Sequence, residues 1–276
     1  MLEGIESWAA LSVLGGGALV GYGIRGATRP VRPHHWVVPV KGLPPELDGF
    51  RILHLSDLHG RCYPADEDAV MRSLALDAPD VAAFTGDVLR RGDPEAGAPA
   101  VSLLGRIAAS VPTFFCPGNH DYAPDGSVAA RATLEGAGVR VLDDENAPGP
   151  RGTVFVGVGD PQTGRDDLDD ALSELPAGFT VVMAHSPVIF SRIAARGLPL
   201  LLAGHTHGGQ GRLPLVGSVW VPGQRGLFPR YDRGVFHLED STMVLTSGVG
   251  TSGPPFRFFV PPEFLVLTLR STRMHG

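Results

Sequence analysis

Residues 51–60 read RILHLSDLHG. Ile52, Leu53 and Leu55 form an apolar run of strand length, and Asp57 and His59 follow as soon as it stops. The pattern recurs as VAAFTGD at 81–87, TFFCPGNHD at 113–121, TVVMAHS at 180–186 and LLLAGHTHGG at 200–209. Short apolar runs bounded by turn residues predict buried strands, here at Arg51–Leu55, Val81–Thr85, Thr113–Cys116, Thr180–Ala184 and Leu200–Ala203. A further run predicts a strand at Thr153–Val158. Residues 66–76, 99–109, 126–134 and 167–175 carry helical patterns between the strands, so the chain reads as a layered α/β fold. Past Gly208, short strands at 234–238, 243–246 and 264–269 follow one another without a long helix, which predicts antiparallel additions.

In open α/β sheets, ligands gather beyond the carboxyl ends of the strands. Five separate loops therefore deliver Asp57, His59, Asp87, Asn119, His120, His185, His205 and His207 to one place. Gly86, Gly118 and Gly204 directly precede members of this set, where the backbone must approach closely. Carboxylate, imidazole and carboxamide without thiolate suit Mn, Fe or Zn and not a structural zinc knot. The donors outnumber the needs of one ion. Two divalent ions roughly 3.5 to 4 Å apart, bridged by a carboxylate, are the arrangement that clamps the oxygens of phosphoryl hydrolysis. A lone Asp-x-His or His-x-His is usually a surface turn; the joint occurrence points to chemistry. Intact donors argue against a scaffold that has lost its activity. His54, inside a predicted strand, reads as a packed core histidine, and Asp121 as a brace for its loop.

Asp57-Leu58-His59, Gly86-Asp87, Gly118-Asn119-His120-Asp121, His185 and Gly204-His205-Thr206-His207 resemble the five ordered blocks of the calcineurin-like metallophosphoesterases. Gly208-Gly209-Gln210 is similar to the membrane-associated bacterial branch with YkuE-type phosphoesterases and a UDP-2,3-diacylglucosamine pyrophosphatase. The resemblance implies an α/β/β/α sandwich with the dinuclear site at the carboxyl ends of the strands. It implies Asp57, His59 and His207 on one ion, Asn119, His185 and His205 on the other, and Asp87 between them. It also implies in-line attack of water on phosphorus, with His120 facing the substrate to stabilise phosphoryl charge or protonate the leaving oxygen. Where many members carry an acid three residues after the bridging aspartate, this chain has Arg90; Asp93 is a candidate substitute, and Arg90 a candidate phosphate contact.

The 276 residues carry 29 acids against 23 bases, a formal charge of -6, which disfavours a nucleic-acid partner. Cys62 and Cys116 supply neither a disulfide framework nor a paired zinc motif. From Ser7 to Ile24 there is no charge; as a helix this stretch would span about 27 Å, enough for a hydrocarbon core. Glu3 and Glu6 precede it, unlike the basic start of a secretory signal, and Arg25, Arg29 and Arg32 follow. The positive-inside rule then places the body in the cytoplasm behind a single-pass membrane anchor. The expected organisation is an anchor over 1–27, a proline-rich linker over 28–48 and a phosphoesterase domain over 49–272. The aromatic, basic loop 254–259 offers Arg257 to a phosphate and its phenylalanines to a lipid or base, and Arg225, Arg230 and Arg233 are candidates for a diphosphate or an anionic membrane surface. The expected activity is hydrolysis of a phosphodiester or pyrophosphate, either in a lipid-linked envelope precursor such as UDP-2,3-diacylglucosamine or in a soluble diester such as a cyclic nucleotide.

Overall fold

The predicted strands assemble into two six-stranded sheets in a computed structural model that describes residues 17–272 apart from 19, 92, 214, 222–223, 225–226 and 254. The first sheet runs, in spatial order, β1 (Arg32–Val40), β14 (Glu263–Ser271), β2 (Arg51–Leu55), β3 (Val81–Thr85), β4 (Thr113–Cys116) and β5 (Arg140–Val141). Strands β2 to β5 are mutually parallel, whereas β14 is antiparallel to β2 and parallel to β1. The second sheet runs β12 (Gly234–Leu238), β13 (Ser241–Leu245), β9 (Leu200–Ala203), β8 (Phe179–Ala184), β7 (Thr153–Val158) and β6 (Glu145–Pro148). Its four inner strands are parallel and its two edges antiparallel. A ribbon of β10 (Arg212–Leu213) and β11 (Gly217–Ser218) stands apart.

Successive side chains of a strand point to opposite faces, and the sequence fills both faces with apolar groups. Ile52, Ala83, Phe114, Phe155, Met183 and Leu202 meet between the sheets, where the rings of Phe114 and Phe155 stack with centroids 4.3 Å apart. Leu53, Leu55 and Phe84 face outward against α2 (Pro64–Asp77) and α3 (Pro94–Ala108), through Val70 and Leu104. On the other flank Val154, Val182 and Leu201 pack against α5 (Leu168–Ala171) and α6 (Phe190–Ala195). The result is the expected α/β/β/α order. Strands buried on both faces read as unbroken apolar runs, which is why β2, β3, β4, β7 and β9 match their predicted limits.

Three expectations are corrected. Residues 28–48 are not a linker: β1 runs through them and pairs with β14 along its whole length. Its prolines, Pro33 and Pro39, are tolerated because an edge strand has a partner on one side only. The helix expected over 126–134 is α4 (Arg131–Gly136), the preceding residues forming turns. Residues 20–28, which run from the expected anchor into the first residue of the expected linker, form the helix α1, which packs on the body: the amide N–H of Arg257 donates to Gly23 O at 3.0 Å. Most of the apolar run 7–24 lies outside the described residues, and among the described residues no helix is long and apolar enough to cross a membrane.

Candidate active site

Each expected ligand sits one to four residues beyond a parallel strand, and the loops interlock through their backbones. Asp57 N–H donates to Gly86 O (3.0 Å) and His59 N–H to Asp87 O (2.8 Å). His205 N–H donates to the Asp57 carboxylate, 3.0 Å from Oδ2. Asp57, His59, Asp87, His205 and His207 all adopt φ between 50° and 72°, a region that costs a non-glycine residue free energy and concentrates at functional sites. The neighbouring glycines leave room for this convergence. A Cβ on Gly86, which has φ 82°, would lie 2.7 Å from His185 Nδ1, and one on Gly204 would meet Ser56 Oγ at 1.9 Å.

The side chains then converge. Asp57, His59 and His207 form one group, Asp87, His185 and His205 another, and His59, Asp87 and His120 a third between them; within each the donor atoms lie within 4.8 Å of one another. Asp87 is central: its Oδ2 is 3.2 Å from His185 Nε2 and 3.5 Å from His59 Nε2. Its Oδ1 accepts the N–H of His120 at 2.8 Å. On the first side His59 Nε2 and His207 Nε2 are 3.2 Å apart, with Asp57 Oδ1 3.4 Å from the latter. On the second, His205 Nδ1 faces His185 Nε2 at 3.0 Å.

This donor set fits a pair of cations on three counts. Imidazole nitrogens face one another in two places. The buried Oδ1 of Asn119 has no hydrogen-bond partner, a costly condition that a cation relieves. His185 donates Nδ1–H to Thr85 O at 2.8 Å, which turns Nε2 toward Asp87 and is the usual way a ligating imidazole is oriented. Burial opposes charge on His185, yet the carboxylates of Asp87, Asp57 and Asp160 raise its pKa well above the ordinary value. His207 goes the other way, held well below it by burial and by the neighbouring His59 and Arg257, and burial together with His185 pulls His205 down to about 3. Two divalent ions held by these residues would supply Lewis-acid stabilisation of phosphoryl charge and would lower the pKa of water.

Asp121 braces the floor as expected. Its Oδ2 accepts the N–H groups of Asp87 (2.6 Å) and Gly118 (2.9 Å), and its Oδ1 that of Leu89 (2.8 Å). Burial and the nearby Asp87 carboxylate push its carboxyl up to about 7. His54 is also as expected, fully buried with Nε2 2.9 Å from Thr85 Oγ1.

His120 stands at the mouth, half-buried, its ring edge-on to His59 with centroids 4.9 Å apart. The backbone N–H of Arg91 donates to its Nδ1 at 3.3 Å, which leaves Nε2 as the protonated nitrogen. A main-chain amide thus supplies an orienting partner. Asp93 does not serve: its carboxylate caps α3 by accepting from Glu95 N and Ala96 N. Above the mouth lies a cavity of about 140 Å³ lined by His59, Arg90, Arg91, His120, Thr251, Ser252 and Gly253. It adjoins a groove of about 410 Å³ that shares His59, Arg90, Thr251 and Gly253 and whose far wall is Ala27 and Thr28 at the end of α1.

Residues 50–209 match the family model of the calcineurin-like phosphoesterases. The chain belongs to that family. It is 29% identical to the metallophosphoesterase YkuE of Bacillus subtilis over 94% of each chain, and 34% identical to the phosphodiesterase YaeI of Escherichia coli over 73% of this chain and 76% of that one. A Bos taurus transmembrane protein with a metallophosphoesterase domain is 30% identical over 95% of this chain and 62% of its own length. The crystal structure of TT1561 of Thermus thermophilus shares the fold at TM-score 0.51 and 14% identity, covering 72% of this chain and 90% of that chain. This phosphoesterase is accordingly a metal-dependent hydrolase of phosphoric esters.

Arg257 is a correction. It is fully buried, and its guanidinium donates to the carbonyls of Ser247 (2.8 Å), Gly248 (3.1 Å), Gly250 and Val260, so it has no donor face for a substrate. It holds the segment behind Asp57, where Val249 N–H donates to Ser56 O at 3.1 Å. Arg233 is likewise taken, paired with the buried Glu263; Arg230 lies over the Tyr231 ring at 5.2 Å, and Arg225 lies outside the described residues. Two residues escaped the sequence reading. Gln162 has its amide nitrogen 2.5 Å from His205 Nε2, and Asp160 is fully buried with Oδ1 unpartnered. Asp160 follows the end of β7 by two residues, the same position after a strand that marked the other donors.

Proposed function

We propose that this phosphoesterase hydrolyses a phosphodiester or pyrophosphate at a dinuclear centre in which Asp57, His59 and His207 hold one divalent ion, Asn119, His185 and His205 the other, and Asp87 bridges. The observation that carries the reading is the place of the Asp87 carboxylate, whose Oδ2 lies 3.5 Å from His59 Nε2 in one donor group and 3.2 Å from His185 Nε2 in the other. With the ions in place, Arg90 at the rim of the cavity contacts a non-bridging phosphoryl oxygen. His120, its Nδ1 occupied by the Arg91 amide, presents Nε2–H to the leaving oxygen. Mn, Fe and Zn all suit the donors.

The substrate we favour is lipid-linked, a diacylated nucleotide-sugar such as UDP-2,3-diacylglucosamine, reached from the cytoplasmic face of the cell membrane with the uncharged N-terminal stretch as a single-pass anchor. Support comes from that stretch, from the basic residues that follow it and from the groove wall that α1 provides. The name of the Bos taurus relative, a transmembrane protein, accords with it. The name of the Escherichia coli relative, a phosphodiesterase, favours the second reading of a soluble diester such as a cyclic nucleotide. The test is a panel of Mn-loaded assays on bilayer-resident diacylated nucleotide-sugar and on cyclic nucleotides. A higher kcat/KM for the lipid in vesicles supports the first substrate. Turnover of the soluble diesters alone replaces it with the second, and no turnover of activated esters by metal-loaded protein overturns the reading as a whole.

A further inference from the structure

One face of the molecule gathers exposed apolar side chains. At the turn between β10 and β11 the chain places Leu215 and Val216, positions where Gly, Asn, Asp or Ser ordinarily stand. Leu215 has φ 67° and is fully exposed, so it bears backbone strain and offers a large apolar side chain to water. Phe259, more than half exposed at φ 55°, joins Leu213, Leu215 and Val216 around one concavity of about 390 Å³. Phe259 continues the patch to the N-terminal helix: its ring lies 5.4 Å from that of the exposed Tyr22 on α1. Single exposed apolar residues are ordinary, whereas a contiguous set marks an interaction surface.

Charge decides which partner fits. The exposed Arg25, Arg29 and Arg32 line an adjacent hollow of about 470 Å³ with Pro261 and Pro262, and no carboxylate takes part in its lining. An apolar platform flanked by arginines matches an anionic bilayer, with acyl chains for the first and headgroup phosphates for the second. We propose that the β10–β11 turn, Phe259 and the outer face of α1 form a surface that lies on an anionic phospholipid bilayer, with Leu215 and Phe259 inserted below the headgroups. Because α1 also walls the groove, seating this face sets the groove beside the lipid. The proposal deepens the reading of a bilayer-resident substrate and rests on it for its purpose, but it is separable by experiment from an N-terminal anchor.

The full chain, with Cys62→Ser and Leu215→Cys, is labelled with an environment-sensitive fluorophore; Cys116 is fully buried. It is mixed with vesicles of phosphatidylethanolamine and phosphatidylglycerol, with and without acyl-chain quenchers. The expected result is a blue shift and quenching of the Leu215→Cys label, both weaker in phosphatidylcholine vesicles. A label at Leu76→Cys, on the end of α2 that leads into the amino end of β3, stays in water. Protein that floats with the vesicles while the Leu215→Cys label stays in water leaves the anchor standing and overturns the docking surface. Protein that does not float overturns both. A shift of the label without vesicles, accompanied by a dimer in size measurement, assigns the patch to a second copy and overturns the bilayer.

Discussion

The floor of the site and its rim are built by opposite rules. The floor is the set of loops beyond β2, β3, β4, β8 and β9, where Asp57, His59, Asp87, His205 and His207 sit on left-handed backbone and main-chain hydrogen bonds clip the β2 loop to the β3 loop and the β8 loop to the β9 loop. The rim, formed by α1, residues 251–253, Phe259 and the β10–β11 ribbon, carries the exposed apolar side chains of Leu213, Leu215, Val216 and Phe259, with arginines flanking it. The difference teaches a division of labour. Groups that must hold charged atoms within a few tenths of an ångström are placed by two rigid sheets, while groups that meet a variable substrate are placed on segments free to change. Substitutions in the floor should therefore strike turnover, and substitutions at the rim should strike substrate binding.

The sharpest way to break this contrast is Asp87→Asn. One carboxylate faces both donor groups, so its loss should remove both ions and lower turnover by about 10³-fold, measured by elemental analysis beside steady-state kinetics. Two ions retained with near-normal turnover would take the bridge away from Asp87. His120→Gln should come next, lowering turnover of esters with poor leaving groups by about 10²-fold or more while metal content holds. The loss should shrink for nitrophenyl esters, which leave without a proton; an equal loss for all leaving groups would assign His120 to phosphoryl charge instead.

Asp121→Asn sharpens the comparison from beneath, since this side chain touches only backbone amides. Metal affinity should weaken by about 10- to 100-fold, the usual cost of removing a support behind ligands, and added Mn should restore most of the activity. Unchanged affinity would make the brace dispensable.

His54 tests the floor by pH. Burial pulls its pKa from 6.5 to about 3, so between these values the unfolded chain holds a proton that the folded chain does not. Stability from this group is complete above pH 6.5 and declines on acidification toward pH 3, by roughly 1.4 kcal/mol per pH unit. Urea unfolding at pH 6.5 and 5 should show this slope reduced in His54→Gln, and an equal slope in both proteins would place the titration elsewhere. The smallest effect belongs to the rim: Arg90→Ala should raise KM a few-fold with metal content untouched, and a fall in kcat alone would move Arg90 into the floor.

Legibility followed the same division. Floor residues announced themselves because a buried parallel strand is an unbroken apolar run and its end is abrupt, so Asp57, Asp87 and His185 each stood out. Asp160 obeyed that rule, behind Gly159 as Asp87 is behind Gly86, and was overlooked because it lies outside the five blocks that carry the resemblance. Gln162 carried no signal, its role being defined only by the side chain it meets. Arg257 misled for a physical reason: an arginine among phenylalanines looks like a ligand grip, and only the fold reveals that backbone carbonyls consume its donors. Strand β1 was hidden by its prolines, and its partner lies at the far end of the sequence.

That pairing has a consequence for biosynthesis. β14 lies between β1 and β2, with Arg32 opposite Glu263 and His54 opposite Leu265. A nascent chain emerging from the ribosome can stack β2, β3 and β4, but β1 stays without its neighbour and β2 exposes a bare edge until translation reaches Ser271. Contacts of such high order slow folding, and an open edge invites pairing with other chains. Stalled or prematurely terminated products lacking β14 are therefore the species for chaperones to intercept.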